Sequence, residues 1–469
     1  MDESKPPSRS MTKKPSQRAK TIVRPPGPVN RSLLGNLAVG SKDPLGRLSR
    51  WAREYGDIVY YRSLRRHVYF LNHPELLKSV LLTHYQNFTK SSGARVYRRL
   101  LGNGLITNSG ESWLSQRRLV QPAFQHSRIG AYGALMVEHT EALMREWKDG
   151  EVRDIQEDML HLGLEIVTQA LFEVQIAADS KKIATALRVI KEESSSLRLV
   201  LPPGFRFIPT RGNFRYEQAA RQLDEVVQRL IRERRASGSL DGDVLSALMR
   251  AQAEDGAAMT DAQLRDEIKT LMVAGHETTA VSLSWTWYLL AQHPEMRERL
   301  WAELDRVLGG RSPTVEDLPN MVFTDAVAKE AMRLYPPVWA LVRSPIKDCE
   351  IGGYVVPADS TILMSQWVMH RDPRFYSEPE QFRPERWLDK TWAAGLKLAY
   401  FPFGGGPRSC VGSGFATMEI VLALATIAQR FQLDLEPGWC AETKLTMTLR
   451  PKNGIRVVIR KRTEHAAAR

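Results

Sequence analysis

Between Thr260 and Pro294 the chain contains no proline, and the stretch opens on a helix-start signature: Thr260 is followed three residues later by Gln263, the spacing of a capping box. Apolar residues recur at i, i+3 and i+4, so the spacing predicts one helix of about 32 residues, roughly 48 Å long at 1.5 Å per residue. A helix of that length crosses a whole domain, and the rest of the fold must be laid around it. Residues 278–292 and 420–429 carry no charge. Both runs fall short of the ~20 apolar residues that span a bilayer, so they read as buried helices of a soluble protein without a transmembrane anchor.

Helical spacing dominates from 75 to 321, with breaks at 102–104, 150, 202–204 and 238–242. Ahead of it, a helical segment at 44–55 precedes two β-rich runs, 56–62 and 66–71, close enough to form a hairpin. After Arg333 short strands and turns take over at 351–357 and 361–364, and these are expected to pair with the N-terminal strands. The segments 447–450 and 454–459 read as a closing hairpin. The fold class is therefore mainly α, a large α-helical domain with a smaller β-rich domain. The stiff entry at Pro25, Pro26, Gly27 and Pro28 marks where order begins. This gives one domain over 25–460 between disordered basic tails, 1–24 and 461–469.

A hydrophobic content of 43% rules out disorder for most of the chain. The net charge of +13 is concentrated at the ends: seven basic residues face two acidic ones in 1–24, and four face one from Arg460 onward. A helical nucleic-acid-binding protein would need that charge on its folded body, so this class is the remote alternative. Cys349, Cys410 and Cys440 have no Cys-x-x-Cys spacing, which excludes a disulfide framework and a zinc ribbon. The first 30 residues have no apolar signal segment, and a cytoplasmic location is expected.

The chemistry is concentrated where a loop with Gly404, Gly405, Gly406, Gly412 and Gly414 delivers Cys410 to the start of an apolar helical run. Backbone N–H groups and the positive helix end stabilise a thiolate there, and glycines let a flat ligand approach the backbone. Taken alone, the loop also suits a tight turn over a buried thiol. A phosphate cradle fits poorly, because no Lys-Ser/Thr follows the last glycine. On the long helix, Ala274, Gly275, His276, Glu277, Thr278 and Thr279 place a carboxylate beside a hydroxyl, an arrangement able to relay a proton. Gly275 costs about 1 kcal/mol relative to alanine, and threonines can bond back to carbonyls and bend a helix. A kinked core helix would use the same residues. Zinc is excluded, since Ala280 stands four residues after His276.

Phe403, Gly406, Arg408, Cys410 and Gly412 together resemble the haem-binding signature of the cytochrome P-450 superfamily. The run from Ala274 to Thr279 is similar to that family's distal motif, and Glu330 with Arg333 to its Glu-x-x-Arg pair, with Arg386 and Trp387 downstream. By itself an i, i+3 acid–base pair is usually a surface pair worth ~0.2–0.5 kcal/mol. Trp113 and Arg117 match the family's Trp-x-x-x-Arg helix, and Arg343 another propionate-binding position. The resemblance covers about residues 25–460.

The resemblance implies the cytochrome P-450 fold, with haem b between the long central helix and the Cys-loop helix. It makes Cys410 the iron ligand and source of electron donation, with Phe403 near the sulfur, Gly406 and Gly412 in the haem loop, and Ala274 and Gly275 over the haem. Arg408, Trp113, Arg117 and Arg343 would meet propionates. Thr278 and Glu277 would deliver protons, while Glu330, Arg333 and Arg386 form a buried structural network. Relatives that bind haem covalently carry Glu where Ala274 stands, so noncovalent haem is expected apart from the Cys410–iron bond. The implied activity is a monooxygenase that uses dioxygen and two external electrons to hydroxylate or epoxidise an apolar small molecule. A long-chain fatty acid or a terpenoid is the favoured substrate class. No dinucleotide fingerprint is seen and only about 60 residues follow Cys410, so a separate ferredoxin or flavodoxin with its reductase is expected, serving a monomer. A peroxide-driven peroxygenase is the alternative, and it would not need Thr278 and Glu277. Pocket segments by family position are 95–105, 200–205, 339–342 and 447–449.

Overall fold

The structure is a computed structural model that describes residues 23–29, 43–63, 66–90, 97–124, 130–172, 177–193, 210–238, 243–254 and 259–462. The expected tail at 1–22 and 463–469 and the expected pocket residues 95–96 and 200–205 lie outside these. Eleven described helices have ten residues or more: α1 (Pro44–Tyr55), α2 (Gly110–Val120), α3 (Tyr132–Arg145), α4 (Ile155–Phe172), α5 (Ala177–Glu193), α6 (Arg211–Ser237), α7 (Val244–Glu254), α8 (Asp261–Gln292), α9 (Pro294–Leu308), α10 (Val322–Leu334) and α11 (Ser413–Arg430).

The long helix, α8, has the expected bounds. Thr260 accepts from the Gln263 N–H while the Gln263 side chain accepts from the Thr260 N–H, and Pro294 opens the next helix. Side chains are buried on every face of α8 from Leu264 to Leu290, so it is the axis of the helical core rather than an amphipathic cover. It packs against α4, α6, α10 and α11. Where α4 crosses it, both helices use glycine. A Cβ on Gly275 would come within 2.8 Å of Val167 Cγ2, and one on Gly163 within 2.9 Å of the His276 carbonyl oxygen. The two backbones approach more closely than any side chain allows.

The β-rich part is built on a five-stranded sheet in the order β1–β2–β8–β5–β3, from β1 (Ile58–Ser63), β2 (Arg66–Leu71), β8 (Thr361–Met364), β5 (Leu341–Pro345) and β3 (Phe88–Lys90); β4 (Val152–Asp154) belongs to another sheet, and β6 (Cys349–Ile351) pairs with β7 (Tyr354–Val356). The hairpin of β1 and β2 forms as expected, and β2 runs parallel to β8, which joins the N-terminal strands to the late ones. Alternate residues feed two further cores, one around Tyr69, Ile362 and Met364 and the other around Phe70 and Leu363.

The expected closing hairpin is not formed. Leu449–Pro451 pairs instead with Thr443–Leu445, while Arg456–Lys461 lies between Phe431–Leu435 and Val152–Asp154 in a three-stranded sheet. Each strand is captured elsewhere. The Trp285 indole N–H donates to the Leu449 carbonyl (2.9 Å) and the Leu449 N–H to the Pro337 carbonyl (2.9 Å), pinning that strand to α8. Asp154 accepts from the Ile455 N–H (2.9 Å) at the entry to the last strand. That strand runs through Lys461, one residue into the expected tail.

Candidate functional site

The loop ahead of α11 is folded by its own backbone. The Cys410 N–H donates to the Phe403 carbonyl (2.9 Å), and a single 3₁₀ turn spans Gly406–Arg408. Gly406 has φ of +69°, and a Cβ there would sit 1.9 Å from the Leu81 carbonyl oxygen, so only glycine lets the loop lie against that backbone. Gly412 caps α11 and its carbonyl accepts from Ala416. Arg117, on α2, donates to the Ser409 carbonyl (2.8 Å) and so ties the loop to the helix that carries Trp113.

Cys410 is exposed, with protein atoms packed around its thiol. Burial pushes its pKa up, while the Gly412 N–H and the Arg117 charge pull it back. The Arg408 guanidinium lies 3.9 Å from the centroid of the Trp113 ring and donates to the Asn108 carbonyl (3.2 Å). Arg343, on β5, is buried beside it and donates to the Val342 carbonyl (3.0 Å). Burial lowers the Arg408 pKa to about 10, and burial together with the Arg408 charge lowers that of Arg343 to about 10. Lys90 is the cross-strand partner of Arg343 in the β3–β5 register, and its ammonium is held well below the usual range by burial and then by Arg343 and Arg408. Three cations are thus enclosed together, and no carboxylate among the described residues acts on any of them. This donor set, with Arg408 two residues before the Cys410 thiol, fits a flat dianionic group with a metal to be ligated, which is what haem presents.

Glu330 explains how the loop is held from behind. Arg333 Nε and Nη2 each donate to it at 2.8 Å, Arg386 Nε at 3.0 Å, the Trp387 indole N–H at 2.9 Å and the Arg383 backbone N–H at 2.9 Å. Glu330 and Arg333 are both fully buried. Arg333 also donates to the His370 carbonyl (2.8 Å), and His370 Nε2 accepts from the Phe401 N–H (3.0 Å), two residues before Phe403. Burial keeps the His370 pKa far below its ordinary value, so the ring is neutral and able to accept. His370 has no sequence signal for this part, because a role of this kind is made by burial and has no spacing of its own.

On α8 the helix runs unbroken through the distal motif. Thr278 donates to the Ala274 carbonyl (2.7 Å) and Thr279 to the Gly275 carbonyl (2.9 Å). Glu277 is buried and accepts from the Thr448 hydroxyl (2.7 Å), a residue of the expected pocket segment 447–449 that no motif pairs with Glu277. Glu277 and Val273 line a cavity of about 580 Å³ with Tyr97, Leu100 and Met447, which belong to the expected pocket segments, and with residues of α4 and α5. A separate cleft of about 670 Å³ beside Leu289, His293, Arg371 and Glu380 holds none of the expected site residues. Among the described residues, no helix is long and apolar enough to cross a membrane.

Comparison with known proteins agrees with this geometry. The family model described as Cytochrome P450 matches residues 25–459. The cyclooctat-9-en-7-ol 5-monooxygenase of Streptomyces melanosporofaciens is 39% identical over 428 residues, 90% of this chain and 92% of the relative. Cyclooctatin synthase of the same organism is 36% identical, covering 89% and 91%. The pentalenene oxygenase of Streptomyces avermitilis is 35% identical, covering 82% and 85%. With its cysteine loop, its clustered cations and a match that spans nearly its whole length, the chain belongs to the cytochrome P450 family of haem-thiolate monooxygenases.

Proposed function

We propose that the enzyme binds haem b noncovalently, apart from the Cys410–iron bond, and hydroxylates or epoxidises a cyclic terpenoid. The observation that carries this reading is the cluster of Lys90, Arg343 and Arg408, the last of these in the loop that presents Cys410. Two propionates would relieve the mutual repulsion of those cations, with Trp113 holding the Arg408 plane. Arg117 fixes the loop through the Ser409 carbonyl and lends positive charge to the sulfur. When bound, haem supplies dioxygen activation and C–H oxidation. The protein orients the substrate against Val273, Leu100 and Met447, excludes water from most of that wall, and offers Thr278 and Glu277 as groups that hold and move a proton.

Of the two substrate classes expected, the terpenoid is supported by relatives named for cyclooctat-9-en-7-ol and pentalenene. A peroxide-driven reaction would not need Glu277 and Thr278, both of which are in place. Electrons from a separate ferredoxin or flavodoxin suit the mildly basic body. The reduced carbon monoxide complex tests the ligand: the parent shows the strongly red-shifted Soret band of a thiolate ligand, and Cys410→Ala does not. Identical spectra would remove Cys410 from the iron. Titrating cyclic terpenes and long-chain fatty acids for a spin-state shift in the Soret band tests the substrate class, with shifts expected for the terpenes.

A further inference from the structure

A tryptophan, two tyrosines and a cysteine in contact with one another have no part in the reading above. Trp285 stands seven residues after Thr278 on α8, two turns and roughly 10 Å along the axis, so both project from the same side of the helix. It is fully buried, and its ring stacks on that of Tyr335 with centroids 4.0 Å apart and planes at 10°. Tyr288 meets both rings edge-on, 5.6 Å from Trp285 and 6.4 Å from Tyr335. Its phenol oxygen lies 3.8 Å from the sulfur of Cys440, an exposed residue. The Gln292 amide donates to that oxygen at 3.2 Å, which leaves the phenolic hydrogen for the sulfur.

Indole, phenol and thiol are among the side chains most readily oxidised, and rings in contact pass electrons to one another. Here they stand in order from the core to the surface. A side branch leads from Tyr335 to Trp367 at 6.1 Å, and charge closes it. Arg371 lies 3.4 Å from the Trp367 centroid, against 5.9 Å from that of Tyr335, and a cation over a ring makes an electron harder to remove.

We propose that Trp285, Tyr335 and Tyr288 form a discharge path, which carries oxidising equivalents that miss the substrate from the distal side of α8 to the thiol of Cys440. The proposal rests on the monooxygenase reading, and its oxidant is hydrogen peroxide. A peroxide reduced to two waters takes up two electrons and two protons. Cys440 supplies both electrons in two passages: its thiol gains an oxygen from water, becomes a sulfenic acid and releases two protons, so thiol and peroxide give sulfenic acid and one water overall. In each passage Tyr288 gives an electron inward and shifts its phenolic hydrogen to the sulfur, then recovers both from Cys440, whose proton leaves to water at the exposed thiol. Burial and the neighbouring sulfur push the Tyr288 pKa up to about 12, so the phenol keeps its proton until the electron goes. A sulfenic acid is restored by thiols, whereas an oxidised indole in the core is not.

Treating haem-loaded, substrate-free enzyme with hydrogen peroxide tests the path. The parent should take up dimedone, a reagent for sulfenic acids, at Cys440 as mapped by mass spectrometry, and Tyr288→Phe should take up several-fold less. Peroxide attacking the exposed thiol directly would label both alike, a result that overturns the path. Electron paramagnetic resonance of rapidly frozen samples reads the preceding step. The tyrosyl signal should be several-fold larger in Cys440→Ser than in the parent, and adding Tyr288→Phe to that variant should remove the gain. Equal signals with and without Cys440 would likewise overturn it. Under peroxide the Soret band should bleach several-fold faster in Cys440→Ser, and equal bleaching would remove the protective role. A parent without the thiolate band in its reduced carbon monoxide complex would overturn the haem reading and the path with it, whereas a normal band beside equal labelling overturns the path alone.

Discussion

Glu330 gathers five donors from two stretches of chain, and removing it would strand two guanidinium groups in the core. A buried charge that loses its partner costs about 3–5 kcal/mol. Glu330→Ala should therefore yield little folded, haem-retaining protein, as judged by Soret absorbance per unit protein and by the melting temperature. Trp387→Phe removes one neutral donor of the five, a loss of about 1 kcal/mol, and should fold and bind haem with a slightly lowered melting temperature. Two further acids set the pH response. Burial raises the Glu267 pKa to about 7 and that of Glu419 to about 8, against an ordinary 4.5. The native state holds these protons where the unfolded chain has released them, so their contribution to stability falls as pH rises from about 4.5 through 8. Melting temperatures measured across that range should decline less steeply in Glu419→Gln than in the parent.

The crossing of α4 and α8 puts a similar constraint at the level of elements. A Cβ on Gly163 meets a carbonyl oxygen of the opposing backbone, which cannot swing aside as a side chain would. Gly163→Val should cost about 1–3 kcal/mol by overpacking, visible in thermal unfolding, and should separate the helix bearing Thr278 from its neighbour. The bounds of α8 were legible because both of its signals are local: a capping box at Thr260 and the proline after His293. The haem loop was legible for the same reason, since glycine, arginine and cysteine at fixed spacing lie within ten residues. The pairing of Leu449–Pro451 and Arg456–Lys461 was not, because it is decided by the Trp285 indole and by Asp154, far away in the chain. Lys90 escaped notice too, and Thr448 was only one residue of the expected pocket segment 447–449. A lysine in a short strand and a threonine in a turn look ordinary until the fold sets one beside Arg343 and the other on Glu277.

At the scale of the whole molecule, the proposed reaction draws on an external electron donor docking on a mildly basic body, and long-range attraction of an acidic donor is screened over about 10 Å at 0.1 M salt. Reduction by an acidic ferredoxin, followed by stopped-flow mixing, should slow as ionic strength rises, while reduction by dithionite should respond far less.

The three-stranded sheet adds a constraint in time. Arg456 registers with Asp154 some 300 residues earlier, through a ladder of only three residue pairs. Closing so long a loop is entropically expensive and its return is small, so this seam should form late in folding. It should also open first. Amide hydrogens of Val152–Asp154 should exchange well before those of α8, marking the place where the folded enzyme begins to come apart.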